Sequence, residues 1–255
     1  IRLPGSYQVN DRQREIAAEV PSREACGLPA EGFVFCCFNN NYKINPPVFD
    51  IWMRLLQRVP GSVLWLLQDN QDVANHLRAE ALARGVDAQR LVFAGRAPLP
   101  EHLARHHHAG LFLDTLPVNA HTTASDALWA GLPVLTCLGA SFAGRVAASL
   151  LHAVCLPELV THDLPSYEAL AYTLATSPGT LQQLKNTLAQ QRGHSTLFDT
   201  SQFCHHLELA YQEMYRQRWQ GIDDRSALSM QQKKHHKPST GQGLAAPAPR
   251  EILAN

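Results

Sequence analysis

The strongest constraint on the fold is a regular alternation of short apolar runs and helical segments. Residues 33–38 (FVFCCF) and 62–67 (SVLWLL) are apolar almost throughout, which is typical of parallel strands covered on both faces. Residues 46–59 (PPVFDIWMRLLQRV), which lie between them, carry apolar side chains at helical spacing behind two entry prolines. The alternation continues through strands at 90–95, 110–114 and 133–137 and helices at 71–85, 99–108, 123–131 and 144–153. We therefore predict an α/β fold with a Rossmann-like, doubly wound parallel sheet.

The two ends of the pattern differ from its centre. From Tyr167 onward the spacing is helical, and it ends in a long helix from about Thr200 to Gln220. Residues 221–255 have few large apolar side chains and many Gln, Lys, Pro and Gly, so we predict a disordered tail. No apolar run is long enough to span a bilayer and no signal peptide opens the chain, so we expect a cytoplasmic protein.

The net charge argues against binding to nucleic acid or an anionic membrane, and the pattern of cysteines and histidines argues against a metal site. The formal net charge is zero, which gives no electrostatic footprint for nucleic acid or an anionic membrane. None of the six cysteines forms a C-x-x-C pair, and we predict buried, reduced thiols. Residues 106–108 are three consecutive histidines, which cannot converge on one ion from a helix, so we predict solvated surface and no metal site.

Polar residues collect where the predicted strands end. Asn40 and Lys43 follow the first strand, and a segment with Ala97, His102 and Arg105 follows the third. In a doubly wound sheet, ligands bind outside these carboxyl ends. Neither G-x-G-x-x-G nor G-K-[ST] occurs, so the sequence supports neither a dinucleotide fingerprint nor a P-loop.

The segment after the fourth strand has more polar groups than a helix cap requires. A helix begins near Thr122 and Thr123, and the free N–H groups of such an end favour a phosphate or pyrophosphate. The two hydroxyls and the ring N–H of His121 add donors. Asp126, about one turn further on, can accept hydrogen bonds from ribose hydroxyls. His102 and Arg105 share a helix face, an arrangement consistent with stacking on a pyrimidine base. Each of these residues, taken singly, has an ordinary structural explanation. Only their shared placement after the carboxyl ends of the strands favours a nucleotide site.

Several of these motifs occur together in one known family. The runs FNNNYKINP, RVPGSVLWLL, APLPEHLAR, LDTLPVNAHTTASDALWAGLPVLT and GRVAAS resemble the C-terminal catalytic half of the O-linked N-acetylglucosamine (O-GlcNAc) transferases, whose plant relatives include SPINDLY. The resemblance covers roughly residues 1 to 220. It implies the C-terminal lobe of a glycosyltransferase-B fold, with residues 1–30 as the end of the N-terminal lobe and the crossover, and 31–220 as the nucleotide-sugar-binding lobe.

The resemblance also implies roles for single residues. Lys43 matches an essential lysine at the diphosphate, and Asn40 stands where animal enzymes have a glutamine near the phosphates. Leu99 departs from the pattern, since animal enzymes have a lysine there that reaches the ribose. The other matches are Ala97, whose backbone reads the uracil edge; His102, which stacks on uracil; Arg105 nearby; His121, Thr122 and Thr123 at the diphosphate; and Asp126 at the ribose.

The implied reaction is inverting transfer of N-acetylglucosamine from UDP to a protein Ser or Thr hydroxyl, with Lys43 as the catalytic cation. No Asp-x-Asp motif occurs, so we expect neither a metal nor another cofactor. The implied partners are the acceptor protein, an N-terminal lobe and tetratricopeptide repeats, and without them the chain is expected to bind UDP weakly and to transfer nothing. Three alternatives stay open: a SPINDLY-type protein O-fucosyltransferase using GDP-fucose, a non-catalytic nucleotide-sugar-binding module, and an unrelated α/β enzyme, although no G-x-S-x-G elbow supports the last.

Overall fold

The computed structural model describes residues 3–219, which contain a six-stranded, fully parallel sheet. The strand order is β3-β2-β1-β4-β5-β6, so the chain reverses its direction across the sheet between β1 and β4. The strands are β1 (Val34–Cys37), β2 (Val63–Leu67), β3 (Leu91–Ala94), β4 (Leu111–Leu113), β5 (Val134–Cys137) and β6 (Val160–Thr161). This confirms the predicted doubly wound sheet, with a short sixth strand that the sequence pattern did not reveal.

The continuous apolar runs predict buried strands, and the structure shows them to be buried. Every residue of β1, β2, β4 and β5 is buried. Phe35 of β1 lies opposite Leu64 on one side and Leu111 on the other, so the central strand is covered by its neighbours and by both helix layers. The hydrophobic core is therefore centred on β1, β2 and β4.

Eight α-helices connect and cover the strands within the described residues. They are α1 (Pro46–Arg58), α2 (Gln71–Ala83), α3 (Leu99–Arg105), α4 (Thr122–Trp129), α5 (Val146–Ala153), α6 (Leu164–Thr176), α7 (Pro178–Arg192) and α8 (Thr200–Trp219). Side-chain caps begin several of them: Asn45 accepts from the backbone N–H of Val48 at 3.1 Å, and Asn70 accepts from that of Val73 at 2.9 Å. The Asn70 cap starts α2 soon after β2 ends, whereas the 3-10 turn Asn41–Lys43 lies between β1 and α1.

The C-terminal helices follow the prediction within the described residues. The segment from Tyr167 onward is helical, with α6 beginning slightly earlier at Leu164. The predicted tail, residues 221–255, lies outside the described residues. Among residues 3–219, the helices are too short or too polar to cross a membrane.

The histidine run at 106–108 corrects one expectation. His106 was predicted to be solvated, but it is 1 % exposed. A 3-10 turn at His106–His108 continues α3 and places the His106 ring 5.1 Å from the ring of Phe38. Its Nδ1 donates to the backbone oxygen of His102 at 2.7 Å. Because a run of identical polar residues has no periodicity, its buried member could not be recognised from the sequence.

The cysteines were predicted to be buried thiols, and this is correct for only three of them. Cys36, Cys37 and Cys137 are buried, whereas Cys155 and Cys204 are exposed and Cys26 is half-buried. Burial raises the pKa of the Cys36 and Cys37 thiols above the ordinary value, so both remain protonated. All six are free thiols.

Candidate functional site

The candidate site lies at the carboxyl ends of β1, β3 and β4, beside the point where the strand order reverses. A cavity of about 300 Å³ opens there, and five of the nine predicted site residues line it. They are Asn40, Ala97, His102, Arg105 and Thr123. A larger cavity of about 490 Å³ lies between α1 and α2 and contains none of the predicted residues. Reversal points are where open α/β sheets bind ligands, so the smaller cavity is the candidate.

His102 and Arg105 form one unit at the β3 side of this cavity. A guanidinium can only donate hydrogen bonds, so the contact of Arg105 Nη2 with Nδ1 of His102 makes that nitrogen the acceptor. The proton of the neutral ring therefore sits on Nε2. Burial, with smaller contributions from His106 and Arg105, lowers the pKa of His102 to about 3. The site thus presents an uncharged, oriented imidazole, which is suited to stacking on a base.

Arg105 itself is less available to a ligand than the sequence suggested. It is 7 % exposed, and its Nη1 donates to the backbone oxygen of Gly95 at 2.7 Å. Its guanidinium also lies 4.9 Å from the ring centre of Phe38. Arg105 consequently orients His102 and holds the β3–α3 loop, where Ala97 lies.

Lys43 links the segment that follows β1 to the loop that follows β4. It ends the 3-10 turn Asn41–Lys43 that follows β1, and it is half-buried. Its Nζ donates to the backbone oxygen of Asn119 at 2.9 Å. Asn119 is buried, and its own Nδ2 donates to the backbone oxygen of Thr115 at 2.8 Å. The ammonium group therefore lies beside the loop that leads into α4, with two of its three N–H donors remaining for a ligand.

A buried carboxylate that sequence reasoning missed organises this loop. Asp114 is 2 % exposed and accepts hydrogen bonds from the backbone N–H groups of Thr115 at 2.7 Å and Ala120 at 2.6 Å. Thr136 donates to its other oxygen at 2.7 Å. Burial raises the pKa of Asp114 to about 7, although these donors and Lys43 oppose the shift. The only signal in the sequence was its position as the first polar residue after β4.

The start of α4 presents fewer free groups than the sequence suggested. His121 precedes the first helical residue, and no side chain caps the helix. The Thr123 hydroxyl donates to Oδ1 of Asn39, whose Nδ2 donates to the Thr115 hydroxyl at 2.8 Å. Thr122 is exposed, with only a long contact of 3.5 Å from Nε2 of Gln8. The backbone N–H groups and the Thr122 hydroxyl are therefore the most accessible donors.

Asp126 is not the open carboxylate that the ribose hypothesis assumed. Its Oδ1 pairs with Nη1 of Arg14, and both side chains are 10 % exposed. Burial raises the pKa of Asp126, and Arg14 opposes that shift. Arg14 belongs to the N-terminal segment that the resemblance assigned to the crossover, so the ion pair joins this segment to α4.

The described residues contain no group of three or more His, Cys, Asp or Glu side chains arranged to hold a metal ion. The positive charge available at the α4 end of the site comes from Lys43 and from the helix N-terminus. Both attract an anion such as a phosphate group.

Comparison with known proteins identifies relatives of this chain. The chain is 39 % identical over 201 residues to a UDP-N-acetylglucosamine–peptide N-acetylglucosaminyltransferase of Caenorhabditis elegans, covering 79 % of this chain and 18 % of the relative. It is 37 % identical to the probable transferase SEC of Arabidopsis thaliana, covering 84 % of this chain and 23 % of the relative. The chain thus spans less than a quarter of the length of either relative.

A solved structure gives the same assignment. A lysine-to-methionine mutant of the O-GlcNAc transferase of Thermobaculum terrenum superposes with a TM-score of 0.72 at 33 % identity, covering 81 % of this chain and 40 % of that one. The family model "Glycosyl transferase family 41" matches residues 8–207, so the match includes the N-terminal segment with Arg14. The chain therefore belongs to glycosyl transferase family 41.

Proposed function

We propose that this chain is the donor-binding half of a UDP-N-acetylglucosamine:protein Ser/Thr N-acetylglucosaminyltransferase. The observation that carries the proposal is the placement of a neutral, oriented His102 and the Lys43 ammonium at the carboxyl edge of a family 41 sheet. The first provides a flat surface for the uracil base. The second, with the N-terminus of α4, provides positive charge for the diphosphate.

The proposed chemistry is a displacement at the anomeric carbon. The acceptor hydroxyl oxygen forms the new bond and gives its proton to the departing diphosphate or to water, while the bond from the anomeric carbon to the diphosphate oxygen breaks with inversion. UDP leaves with the bonding electron pair, so negative charge grows on its phosphate oxygens. Lys43 and the α4 N–H groups stabilise this charge more in the transition state than in the ground state. Asn40, exposed beside the same cavity, is assigned to the phosphates.

The partners follow from the same proposal. The acceptor is a protein with an accessible Ser or Thr, and the N-terminal lobe and tetratricopeptide repeats of the full-length protein complete its binding site. We also infer a cytoplasmic location. This inference is supported by the six free thiols, which are typical of a reducing compartment.

Calorimetric titration of the chain with UDP, UDP-N-acetylglucosamine, GDP and GDP-fucose tests the donor. We expect the uridine compounds to bind more tightly than the guanosine compounds. His102→Ala should weaken UDP binding by roughly 10- to 100-fold, as loss of one buried contact implies. His107→Ala is the control, because His107 is exposed in the next turn. A preference for GDP would instead assign the SPINDLY-type fucosyltransferase reaction, and no binding of any nucleotide would contradict the proposal.

A further inference from the structure

Tyr7 contacts the residue that precedes α4. Its Oη lies 2.8 Å from Nδ1 of His121, although 114 positions separate the two residues. The Tyr7 ring packs edge-on against Phe142, with ring centres 5.0 Å apart. Phe142 belongs to the β5–α5 loop, so the Tyr7 ring packs on this loop while its hydroxyl contacts the imidazole.

The other side of the imidazole decides which atom carries the proton. Nε2 of His121 faces the backbone oxygen of Ala143 at 3.5 Å. A carbonyl oxygen only accepts hydrogen bonds, so a proton on Nε2 is favourable there and a lone pair is not. Nδ1 must then accept, and the Tyr7 hydroxyl donates to it. Burial lowers the pKa of His121; the contact with Ala143 opposes this shift and the nearby Lys43 adds to it, so the neutral ring is favoured at pH 7.

The segment that carries Tyr7 is held to α4 at a second point. Trp129 donates from Nε1 to the backbone oxygen of Arg14 at 3.0 Å, and the Arg14 side chain pairs with Asp126. Residues 7–14 therefore lie along α4, with Tyr7 at its N-terminus and Arg14 beside its last turn. This arrangement fixes the approach of Tyr7 to His121.

We propose that Tyr7 is a positioning residue that, together with the Ala143 carbonyl on the other side of the ring, holds His121 in the Nε2–H tautomer and so supplies a ring N–H donor to an anion at the N-terminus of α4. The contact of Nε2 with Ala143 is long, and this N–H can therefore turn to a stronger acceptor such as a phosphate oxygen. The identity of that anion, the diphosphate of a nucleotide sugar, rests on the proposed function. The assignment of the tautomer does not.

Two measurements separate the parts of this proposal. Long-range ¹H–¹⁵N spectra of the ligand-free chain report which ring nitrogen of His121 is protonated. We expect Nε2–H alone in the wild type and a mixture of tautomers in Tyr7→Phe, which keeps the ring packed on Phe142. Tyr211→Phe is the control, because Tyr211 is exposed on α8. A proton on Nδ1 in the wild type, or an unchanged tautomer in Tyr7→Phe, would overturn the proposal.

The second measurement is a double-mutant cycle read by UDP titration. Tyr7→Phe should weaken UDP binding by about 5- to 10-fold, the scale of one hydrogen bond. In a His121→Ala background the same change should have no effect, because Tyr7 acts through His121. An equal loss in both backgrounds would show a merely structural role and contradict the proposal. Absence of UDP binding in the wild type would overturn the proposed function alone, since the tautomer result stands without a nucleotide.

Discussion

Arg14 and Asp126 form an ion pair across 112 positions of the chain, with both side chains 10 % exposed. The pair joins the N-terminal segment to the last turn of α4, and the guanidinium also lies 5.6 Å from the ring centre of Trp129. Such a pair leaves a costly unpaired charge when either partner is removed.

The first prediction is that Arg14→Gln lowers the free energy of unfolding by about 3 kcal/mol, because the Asp126 carboxylate then stays buried without its partner. Asp126→Asn should cost a similar amount, and the double variant should cost less than the sum. Equilibrium unfolding in urea measures all three. Arg54→Gln is the matched control, since Arg54 pairs with Glu168 but its side chain is 50 % exposed. An Arg14→Gln variant as stable as Arg54→Gln would contradict the assigned importance of the pair.

The second prediction concerns Lys43 in the full-length enzyme. Lys43→Ala should lower turnover by roughly 10²–10³-fold with a smaller loss of donor affinity, because the ammonium acts on charge that grows in the transition state. Lys43→Arg should rescue only in part, since a planar guanidinium does not replace a compact ammonium. Single-turnover transfer at saturating donor gives the rate, and circular dichroism checks the fold. A folded Lys43→Ala enzyme with the wild-type rate would rule out the mechanism.

The third prediction is that a lysine at position 99 increases the affinity for UDP. Leu99 lines the candidate cavity and is 44 % exposed. Leu99→Lys places an ammonium beside the predicted nucleotide, and we expect UDP to bind about 3- to 10-fold more tightly at low salt, with the gain lost at high salt. Leu99→Gln adds length and polarity without charge and should not produce this gain. Equal affinities for the two variants would argue against a nucleotide phosphate or ribose near this position.

The fourth prediction is a pH dependence of stability from His106. Burial lowers the pKa of His106 from its ordinary 6.5 to about 4 in the folded state, so between these values only the unfolded chain binds the proton. The free energy of unfolding should therefore fall as the pH drops from about 6.5 to 4, with at most about 1.4 kcal/mol per pH unit from this residue. Asp114, whose pKa is raised to about 7, has the opposite slope over the same range.

Because His106 and Asp114 have opposite effects on the pH dependence of stability, the wild-type curve alone does not isolate His106. The test therefore compares variants with the wild type. His106→Gln should flatten the loss of stability toward acid relative to the wild type, measured by urea unfolding at several pH values. His76→Gln is the control, since the His76 side chain is 74 % exposed on α2. Parallel curves for His106→Gln and the wild type would contradict the prediction, because they would mean that folding does not change the pKa of His106.

The fifth prediction is independence from metal ions. UDP binding by this chain and transfer by the full-length enzyme should persist in excess EDTA, because Lys43 and the α4 N-terminus supply the positive charge. Activity that disappears in EDTA and returns with manganese would contradict the proposal that Lys43 supplies the positive charge for the diphosphate.

The sequence by itself determined the layered architecture and the edge of the sheet on which the site lies. Continuous apolar runs such as residues 62–67 predict buried parallel strands, and β2 occupies Val63–Leu67. This succeeds because burial on both faces acts on each strand locally. Lys43 and His102 could be placed at one edge for the same reason, since all carboxyl ends of a parallel sheet meet there.

Only the tertiary structure decided which groups at that edge are available and which are already paired. Arg105 is buried against Phe38, and Asp126 is held by Arg14. Tyr7, from a segment without regular spacing, meets His121 from 114 positions away. These contacts depend on how the N-terminal segment runs along α4 and how α3 packs against Phe38, which follows β1. Local periodicity does not encode such contacts, because they are set by the packing of side chains that are far apart in the chain.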